Sequence, residues 1–293
     1  SPPVRPPIRT FLRYAGLGLA GLLGLALVAA LGVLIAGDRK LTPSAAIPAH
    51  PVAVPTDSAA VAEGGRLARV WGCLGCHDRS GGGEVWVETA LGDRIVAPNL
   101  TRVVREYDPA ELERAIRHGV GPDGKTVLIM PAGMFHPVSD TDLGKVIAHL
   151  RSLPPLPDTV PRTRFGLMAR TLALLGRVPV IADRVDHGAP HGTSPDSLGP
   201  ASTRADTLAL GRYIARTACT ECHGPDLRGD GRAPDLRIAA AYPRARFRRL
   251  AREGIALDGK ERELMTTIAR SRMAFLTDDE VAALHAYLST LAD

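Results

Sequence analysis

The longest apolar pattern in the chain is a run without charge from Tyr14 to Gly37, rich in leucine, alanine and glycine. As a helix, these 24 residues rise about 36 Å, enough to cross a hydrocarbon core of about 30 Å. The apolar core of a signal peptide is usually about 7–15 residues long, so we favour an uncleaved anchor over a cleaved leader. The pattern predicts one transmembrane helix over about 14–37, within an anchor of residues 1–40.

Beyond the anchor, apolar residues recur at helical spacing, and we find no convincing alternation typical of strands. Capping residues and terminal glycines or prolines predict four helices, over about 108–119, 139–150, 243–253 and 277–291. A short apolar piece, 165–181, lies in a stretch rich in Pro, Gly, Ser and Thr. Its length favours an amphipathic helix packed on the domains over a second membrane crossing.

The chain beyond the anchor contains an internal repeat. The matched segments are Gly65–Arg69 with Gly211–Ala215, Ala97–Leu100 with Ala233–Leu236, and Asp123–Lys125 with Asp258–Lys260. Each half also ends in one of the capped helices. The repeat predicts an all-α protein with a linker over 41–56, a first domain over 57–155, an interdomain linker over 156–203 and a second domain over 204–293.

All four cysteines lie at matched positions of the repeat, in two Cys-x-x-Cys-His sequences, the attachment signature of a c-type haem. A zinc site would need its second pair of ligands within about 20 residues, whereas the two pairs here are 146 residues apart. A thioredoxin-like pair would need a βαβ pattern, and a disulfide would leave both histidines unexplained. The motifs therefore predict two covalent haem c groups, attached and ligated through Cys73, Cys76, His77, Cys219, Cys222 and His223.

The sixth iron ligand decides whether such a haem is closed or open. Met130 and Met265 each fall six residues after the glycine of a matched Asp-Gly-Lys segment. A thioether there is a soft, neutral ligand that raises the reduction potential relative to two histidines. We predict Met130 and Met265 as the axial partners of His77 and His223. The alternative ligands are Met134 and Met273, which are more often core side chains. In the first half, His118 and His136 could form a histidine pair, but only outside the repeat register.

Further residues are assigned roles on weaker grounds. A ligating histidine normally donates its other N–H to a carbonyl, which fixes the ring, and we expect the segments of Pro98 and Pro234 to supply it. Two tryptophans and two arginines either contact the haem edge or propionates, or are ordinary packing and surface residues: Trp71, Trp86, Arg94 and Arg102. His187 and His191, between the domains, are interpreted as polar loop residues.

Composition fits this picture. Aromatic residues make up only 4% of the chain, and haem would supply the missing apolar bulk. The net charge of +5 is concentrated beside the anchor, since residues 1–50 hold five basic side chains and one acidic. No concentrated basic face points to nucleic acid. Three arginines before the anchor, at 5, 9 and 13, against two basic residues after it favour a cytoplasmic N-terminus. Haem c is attached outside the cytoplasmic membrane in bacteria, so the domains are expected in the periplasm, tethered to the inner membrane.

The chain resembles the cytochrome c subunits of membrane-bound bacterial alcohol and gluconate dehydrogenases, and diheme c-type cytochromes more widely. The resemblance rests on both haem motifs and on these segments: Ala97–Thr101, Met130-Pro131, Val138–Asp140, His149–Pro155, and the twelve-residue spacing from Met265 to Thr277. It covers about residues 57–293 and implies two tandem class I-like cytochrome c domains. Those subunits usually carry three haems and commonly attach through a C-terminal segment, whereas this chain has two motifs and an N-terminal anchor.

We expect an electron carrier rather than an enzyme. Such a subunit would take electrons from a dehydrogenase, a quinol-oxidising complex or a reaction centre. It would pass them to a soluble or membrane-bound cytochrome or an oxidase. The alternative is a diheme peroxidase, which needs one haem that can open a coordination site. A methionine for each iron argues against it.

Overall fold

The computed structural model describes residues 8–194, 203–229, 231 and 233–292, and it is mostly helical. The first helix, α1, runs from Ile8 to Leu41. Within it, Arg9–Leu41 contains a window with a mean hydropathy of 2.6 that is not buried against the rest of the protein. α1 is therefore a candidate transmembrane helix, by length and composition. Arg5, on the predicted cytoplasmic flank, lies outside the described residues.

Helices α2 to α7 make up the first half of the repeat. They are α2 (Ser58–Val70), α3 (Cys73–Cys76), α4 (Leu100–Glu106), α5 (Pro109–His118), α6 (Ala132–Phe135) and α7 (Asp140–Ser152). Asp108 and Glu111 form a reciprocal capping box at the start of α5, and Gly119 ends the helix with a φ of 66°. The Ser139 side chain caps α7. The two helices that these residues predict are confirmed, because local capping bonds set their ends.

A two-stranded antiparallel hairpin lies between α3 and α4, formed by β1 (Glu84–Glu88) and β2 (Arg94–Ala97). The expectation of no strands was wrong here. Every residue of β1 is exposed, and the register is irregular between Val85 and Val87. A short, solvated and bulged strand has no buried face, so it has no alternation long enough to detect.

The described residues of the second half repeat the plan with five helices and three 3₁₀ turns, the last of which is Thr290–Ala292. The helices are α9 (Arg204–Ala218), α10 (Thr220–His223), α11 (Arg244–Glu253), α12 (Glu263–Ser271) and α13 (Asp278–Ser289), and the other two turns are Leu236–Ala241 and Met273–Phe275. Thr277 and Glu280 form the predicted capping box of α13. Gly254 ends α11 with a φ of 74°. Both predicted helices of this half are confirmed within two residues.

In each half the first helix crosses the last one at a glycine. A Cβ on Gly64 in α2 would lie 1.9 Å from the carbonyl oxygen of Lys145 in α7. A Cβ on Gly211 in α9 would lie 2.1 Å from the carbonyl oxygen of Ala283 in α13. Lys145 and Ala283 hold the same position, six residues after the capping residue of their helices. No side chain fits at either crossing, so the two backbones touch directly.

The two halves pack on each other and share one continuous hydrophobic core. Arg66 of α2 donates to Glu280 of α13 at 2.8 and 2.9 Å. From the other side, the Tyr213 hydroxyl of α9 donates to Asp142 of α7 at 2.7 Å. Asp142 and Glu280 are each the third residue of their helix. In each half, a side chain of the first helix therefore bonds to the start of the last helix of the other half.

Helix α8 (Leu167–Leu174) confirms the predicted helix in the connecting segment, but its main neighbour is α1 rather than the domains. The Arg170 side chain pairs with Asp38 of α1 at 2.9 Å. The backbone N–H of Gly166 donates to Asp93 in the hairpin loop at 2.7 Å. α8 thus connects the end of α1 to the first half. Residues 195–202 of the predicted interdomain linker lie outside the described residues.

Replacement of Gly64 by alanine tests the helix crossing. The new methyl would overlap a backbone carbonyl, so α2 and α7 must separate, at a cost of about 2–3 kcal/mol in the free energy of unfolding. Ala59→Val adds volume to an exposed position of the same helix and should change stability by less than about 0.5 kcal/mol. Urea unfolding of the detergent-solubilised protein measures both. Equal stability of the two variants would contradict the crossing.

Candidate functional site

Each Cys-x-x-Cys-His motif stands on one helical turn. In the first, Gly72 takes a left-handed conformation with a φ of 75° and separates α2 from the turn Cys73–Cys76. The backbone N–H of His77 then donates to the carbonyl of Cys73 at 3.0 Å. The second motif makes the same bond, from His223 to Cys219, at 3.0 Å. One turn therefore presents two thiols and an imidazole in each half.

Each motif histidine is held by a proline carbonyl. Nδ1 of His77 lies 2.8 Å from the carbonyl oxygen of Pro98, and Nδ1 of His223 lies 2.8 Å from that of Pro234. A carbonyl only accepts, so Nδ1 carries the proton in both rings. Nε2 is then left as the nitrogen with a free lone pair, which is the form of histidine that binds a metal.

A matched glycine brings each proline segment to its histidine, and the sequence analysis missed it. Gly83 and Gly229 each lie six residues after the motif histidine, with φ values of 90° and 78°. Each donates its N–H to the carbonyl of that histidine, at 2.9 and 2.8 Å. A Cβ would lie 2.8 Å from the carbonyl oxygen of Ala97 at the first site and 2.2 Å from that of Ala233 at the second. Their equal spacing from the motif histidine in the two halves was the sequence signal that could have identified them.

The surroundings of the motifs suit neutral groups. Burial raises the pKa of Cys73 to about 11 and that of Cys219 to about 12. Burial lowers the pKa of His77 despite its bond to Pro98. Such settings disfavour a reactive thiolate pair, and they fit thioether bonds and a neutral imidazole. Among the described residues, the one group with metal-ligand spacing contains none of the cysteines.

The two predicted ligand methionines occupy matched places. An isolated bridge joins Val120 to Thr126 in the first half, and another joins Ile255 to Glu261 in the second. Met130 and Met265 each follow the second residue of their bridge by four positions. Both are partly buried against the shared core. The repeat register used to choose them therefore exists in the backbone, and their role as iron ligands stays a prediction.

The alternative ligands are engaged elsewhere. Met134 and Met273 are 3% and 7% exposed within the shared core, and the sulfur of Met134 accepts a long bond from Arg272 at 3.9 Å. His118 and His136 contact His187 and His191 of the connecting segment. The interpretation of those last two as ordinary loop residues therefore does not hold. The segment that contains His187 and His191 folds back onto α5 and α6. No local sequence pattern indicates this contact.

The four residues assigned weaker roles separate into two groups. Nε1 of Trp86 donates to the carbonyl of Cys76 at 2.8 Å, and Trp71 is buried in the core just before the first motif. Arg94 instead pairs with Glu88 of the hairpin, and Arg102 pairs with Glu106 and Asp158 at the surface. The tryptophans therefore pack beside the first motif, whereas both arginines have carboxylate partners.

A single arginine of the second half connects the two motifs. The guanidinium of Arg272 donates to the carbonyls of Val70 and Trp71, just before the first motif, at 3.2 and 2.9 Å. It also pairs with Glu221, inside the second motif, at 2.8 Å. Its side chain is only 12% exposed. The two motifs therefore lie close to one partly buried cation.

Comparisons with known proteins agree with this geometry. Residues 59–150 match the family model for subunit III of the cbb3-type cytochrome c oxidase, and residues 208–292 match the model for cytochrome c. The chain thus contains two cytochrome c domains, joined to a candidate transmembrane helix.

The chain is similar to three curated cytochrome subunits, each 24% identical. The first, from Gluconacetobacter polyoxogenes, is the cytochrome c subunit of alcohol dehydrogenase (quinone), with 80% of this chain and 56% of that protein covered. The second is the gluconate 2-dehydrogenase cytochrome c subunit of Pantoea cypripedii, at 80% and 60%. The third is the fructose dehydrogenase cytochrome subunit of Gluconobacter japonicus, at 61% and 37%. The chain therefore spans less than two thirds of each relative's length.

Replacement of Arg272 by methionine tests the bridge between the motifs. It removes a buried charge from two carbonyls and from Glu221, which we expect to lower the free energy of unfolding by about 2–3 kcal/mol. Arg270→Met breaks a pair with Glu261 in which both side chains are more than half exposed and should cost less than about 1 kcal/mol. Chemical denaturation measures both. A loss no larger for Arg272→Met than for Arg270→Met would contradict the bridge.

Proposed function

We propose that this chain is a membrane-anchored electron-transfer subunit that carries two covalent haem c groups and serves a dehydrogenase-type redox complex. The observation that carries the proposal is the repeated site, in which a turn with two thiols ends in an imidazole whose Nδ1 is held by a proline carbonyl. The two cytochrome c domains and the three cytochrome subunits of dehydrogenases to which the chain is similar support it.

The residues present fit haem c in both halves, in domains that we propose to span 57–155 and 204–293. The thiols would form the thioether links, the histidines and methionines would be axial ligands, and the proline carbonyls would orient the rings. In chain order these residues are Cys73, Cys76, His77, Pro98, Met130, Cys219, Cys222, His223, Pro234 and Met265. Bound haem iron supplies reversible one-electron transfer.

The protein's own groups would set the conditions for that chemistry. A hydrogen bond to a backbone carbonyl makes an imidazole a better donor and fixes its plane. Partial burial of the first imidazole and of the thiols would limit water at the site. Arg272 bonds the backbone just before the first motif and Glu221 within the second, so the two attachment sites lie close together. That proximity supports electron exchange within the subunit.

We also propose where the chain lies in the cell. α1 would cross the bacterial inner membrane once, with Arg9 and Arg13 on the cytoplasmic side and both domains in the periplasm. The electron donor would be a dehydrogenase, in line with the named relatives, ahead of a quinol-oxidising complex or a reaction centre. The acceptor would be a soluble or membrane-bound cytochrome or an oxidase.

The diheme peroxidase remains the weaker alternative. It requires an iron that can open a coordination position, whereas each half offers a methionine at a matched place on the core. No feature of the described residues favours it.

Variants of the predicted ligand methionines test the proposal. Met130→Ala and Met265→Ala should each open one iron, so that the reduced variant binds about one carbon monoxide per chain and the double variant about two. The reduced wild-type protein should bind almost none, because both irons are closed. Visible spectroscopy of the purified haem protein under a carbon monoxide titration measures the stoichiometry.

The core methionines provide matched controls, because Met134→Leu and Met273→Leu alter sulfur atoms that are not assigned to iron. Both should leave the protein closed to carbon monoxide. Rapid binding to the wild type would favour the peroxidase, and binding to the control variants alone would reverse the ligand assignment.

A further inference from the structure

Four histidines meet on one side of the first half, away from both Cys-x-x-Cys-His motifs in sequence. This histidine cluster consists of His118, His136, His187 and His191. Ring centroids lie 5.0 Å apart for His118 and His187, 5.1 Å for His118 and His136, and 5.2 Å for His136 and His191. The chain has nine histidines in all, so nearly half of them gather here.

Three separate parts of the chain supply the cluster. His118 is the last residue of α5, His136 follows α6 directly, and the other two follow the 3₁₀ turn Ala182–Arg184 of the connecting segment. One nitrogen from each of His118, His136 and His191 lies within 4.8 Å of the others. Nδ1 of His187 lies 2.8 Å from Nδ1 of His118. Nitrogens of three rings therefore surround one small volume, and His187 joins this group through its contact with His118.

Carboxylates hold the outer nitrogens of two of these rings, and the inner Nδ1 of His118 shares a hydrogen bond with Nδ1 of His187. Glu113, which is fully buried, lies 3.4 Å from Nε2 of His118, so Nδ1 of that ring faces the cluster. Asp140 lies 3.3 Å from Nδ1 of His191, which leaves its Nε2. Nε2 of His136 is buried and has no hydrogen-bond partner among the described residues. Carboxylates that hold the outer nitrogens of histidines are the usual second shell of a metal site.

The charges around the cluster are compatible with a cation. The guanidinium of Arg117 is fully buried nearby, but Glu113 and Asp140 pair with it at 3.3 and 2.7 Å. Asp183 and Asp186 lie within four residues of His187 in the connecting segment and add negative charge there. Burial, with the adjacent imidazoles and Arg117, lowers the pKa of His136 to about 4. Neutral rings are the form in which histidine binds metal ions.

We propose that His118, His136, His187 and His191 bind one divalent transition-metal ion, with Zn²⁺ the best fit, independently of the two haem sites. A tetrahedral zinc ion with four imidazole ligands needs bonds of about 2.0–2.1 Å, which separates the nitrogens by about 3.3 Å. The ion would replace the 2.8 Å hydrogen bond between His118 and His187, and small side-chain rotations would bring the other nitrogens, now within 4.8 Å of one another, to that separation. Cu²⁺ and Ni²⁺ also bind imidazole but prefer square-planar or tetragonal geometry, whereas Zn²⁺ takes the tetrahedral arrangement proposed here.

The ion would fasten the connecting segment to the first half next to the domain interface. Just after His191, the N–H of Gly192 donates to the carbonyl of Pro137 at 2.8 Å. A Cβ on Gly192 would lie 2.8 Å from the ring of Tyr213, whose hydroxyl bonds to Asp142 across the interface. A metal clip at this point would therefore stabilise the packing of one half on the other.

Metal content of the intact protein tests the site. The tag-free haem protein is stripped with a chelator, loaded with Zn²⁺ alone, desalted and analysed for zinc and iron. We expect about one zinc per chain, and X-ray absorption at the zinc edge should show four nitrogens at about 2.0 Å. Zinc at 100 times its dissociation constant should also raise the Tm by about 5 °C. Less than about 0.1 zinc per chain, or sulfur ligands at about 2.3 Å, would overturn the proposal.

A variant with a matched control locates the ion. His191 is partly exposed and belongs to the connecting segment, so His191→Ala should fold, as its haem spectrum will show, and should bind zinc at least 10-fold more weakly. His285→Gln alters a histidine of the second half that contacts the carbonyl of Ala239, and its zinc affinity should be unchanged. Equal affinity of His191→Ala and the wild type would overturn the assignment. Stoichiometric binding of Cu²⁺ or Ni²⁺ with no binding of Zn²⁺ would overturn only the choice of ion.

Discussion

Each half of this protein depends on a backbone contact between its first and last helices. At Gly64 and Gly211 the contact is so close that a Cβ would overlap a carbonyl. Interiors are packed nearly as densely as crystals, so such a contact admits few other arrangements. The first helix leads directly into the motif, and the crossing therefore fixes where the thiols and the imidazole are presented. The site chemistry follows from a packing constraint that lies outside the site.

The pairing of the two halves brings the two motifs close together, which neither half could do alone. Side chains from each first helix reach the start of the other last helix, through Arg66 to Glu280 and Tyr213 to Asp142. This reciprocal arrangement places both motifs close to Arg272. In our proposal, two cofactors placed this way act as one relay. The candidate membrane helix and α8 would then hold the relay at the membrane surface.

Local chemistry explains which parts could be predicted from the sequence. Capping boxes such as Thr277 with Glu280 are built from residues three apart, so they are visible in the sequence and present in the structure. The repeat also exposed the matched positions of Met130 and Met265. The exposed strand Glu84–Glu88 was missed because it has no buried face.

Contacts between distant segments were beyond the sequence analysis. Arg272 lies about 200 residues from the carbonyls it bonds, and nothing in its own neighbourhood indicates that partner. His187 and His191 likewise contact the other histidines of the cluster only because the connecting segment folds back on α5 and α6. Gly83 and Gly229 could have been predicted, because they lie at equal spacing from the motif histidines. Their role, which is to let the proline segments approach those histidines, is visible only in the structure.

The mass of the denatured polypeptide tests the central claim most directly. Thioether bonds survive unfolding, so protein made in a host that matures c-type cytochromes should keep two porphyrins per chain after acid denaturation. Peptide mapping should then assign one to Cys73 and Cys76 and the other to Cys219 and Cys222. A chain that loses all porphyrin on denaturation, or keeps its four thiols free to alkylation, would contradict the account.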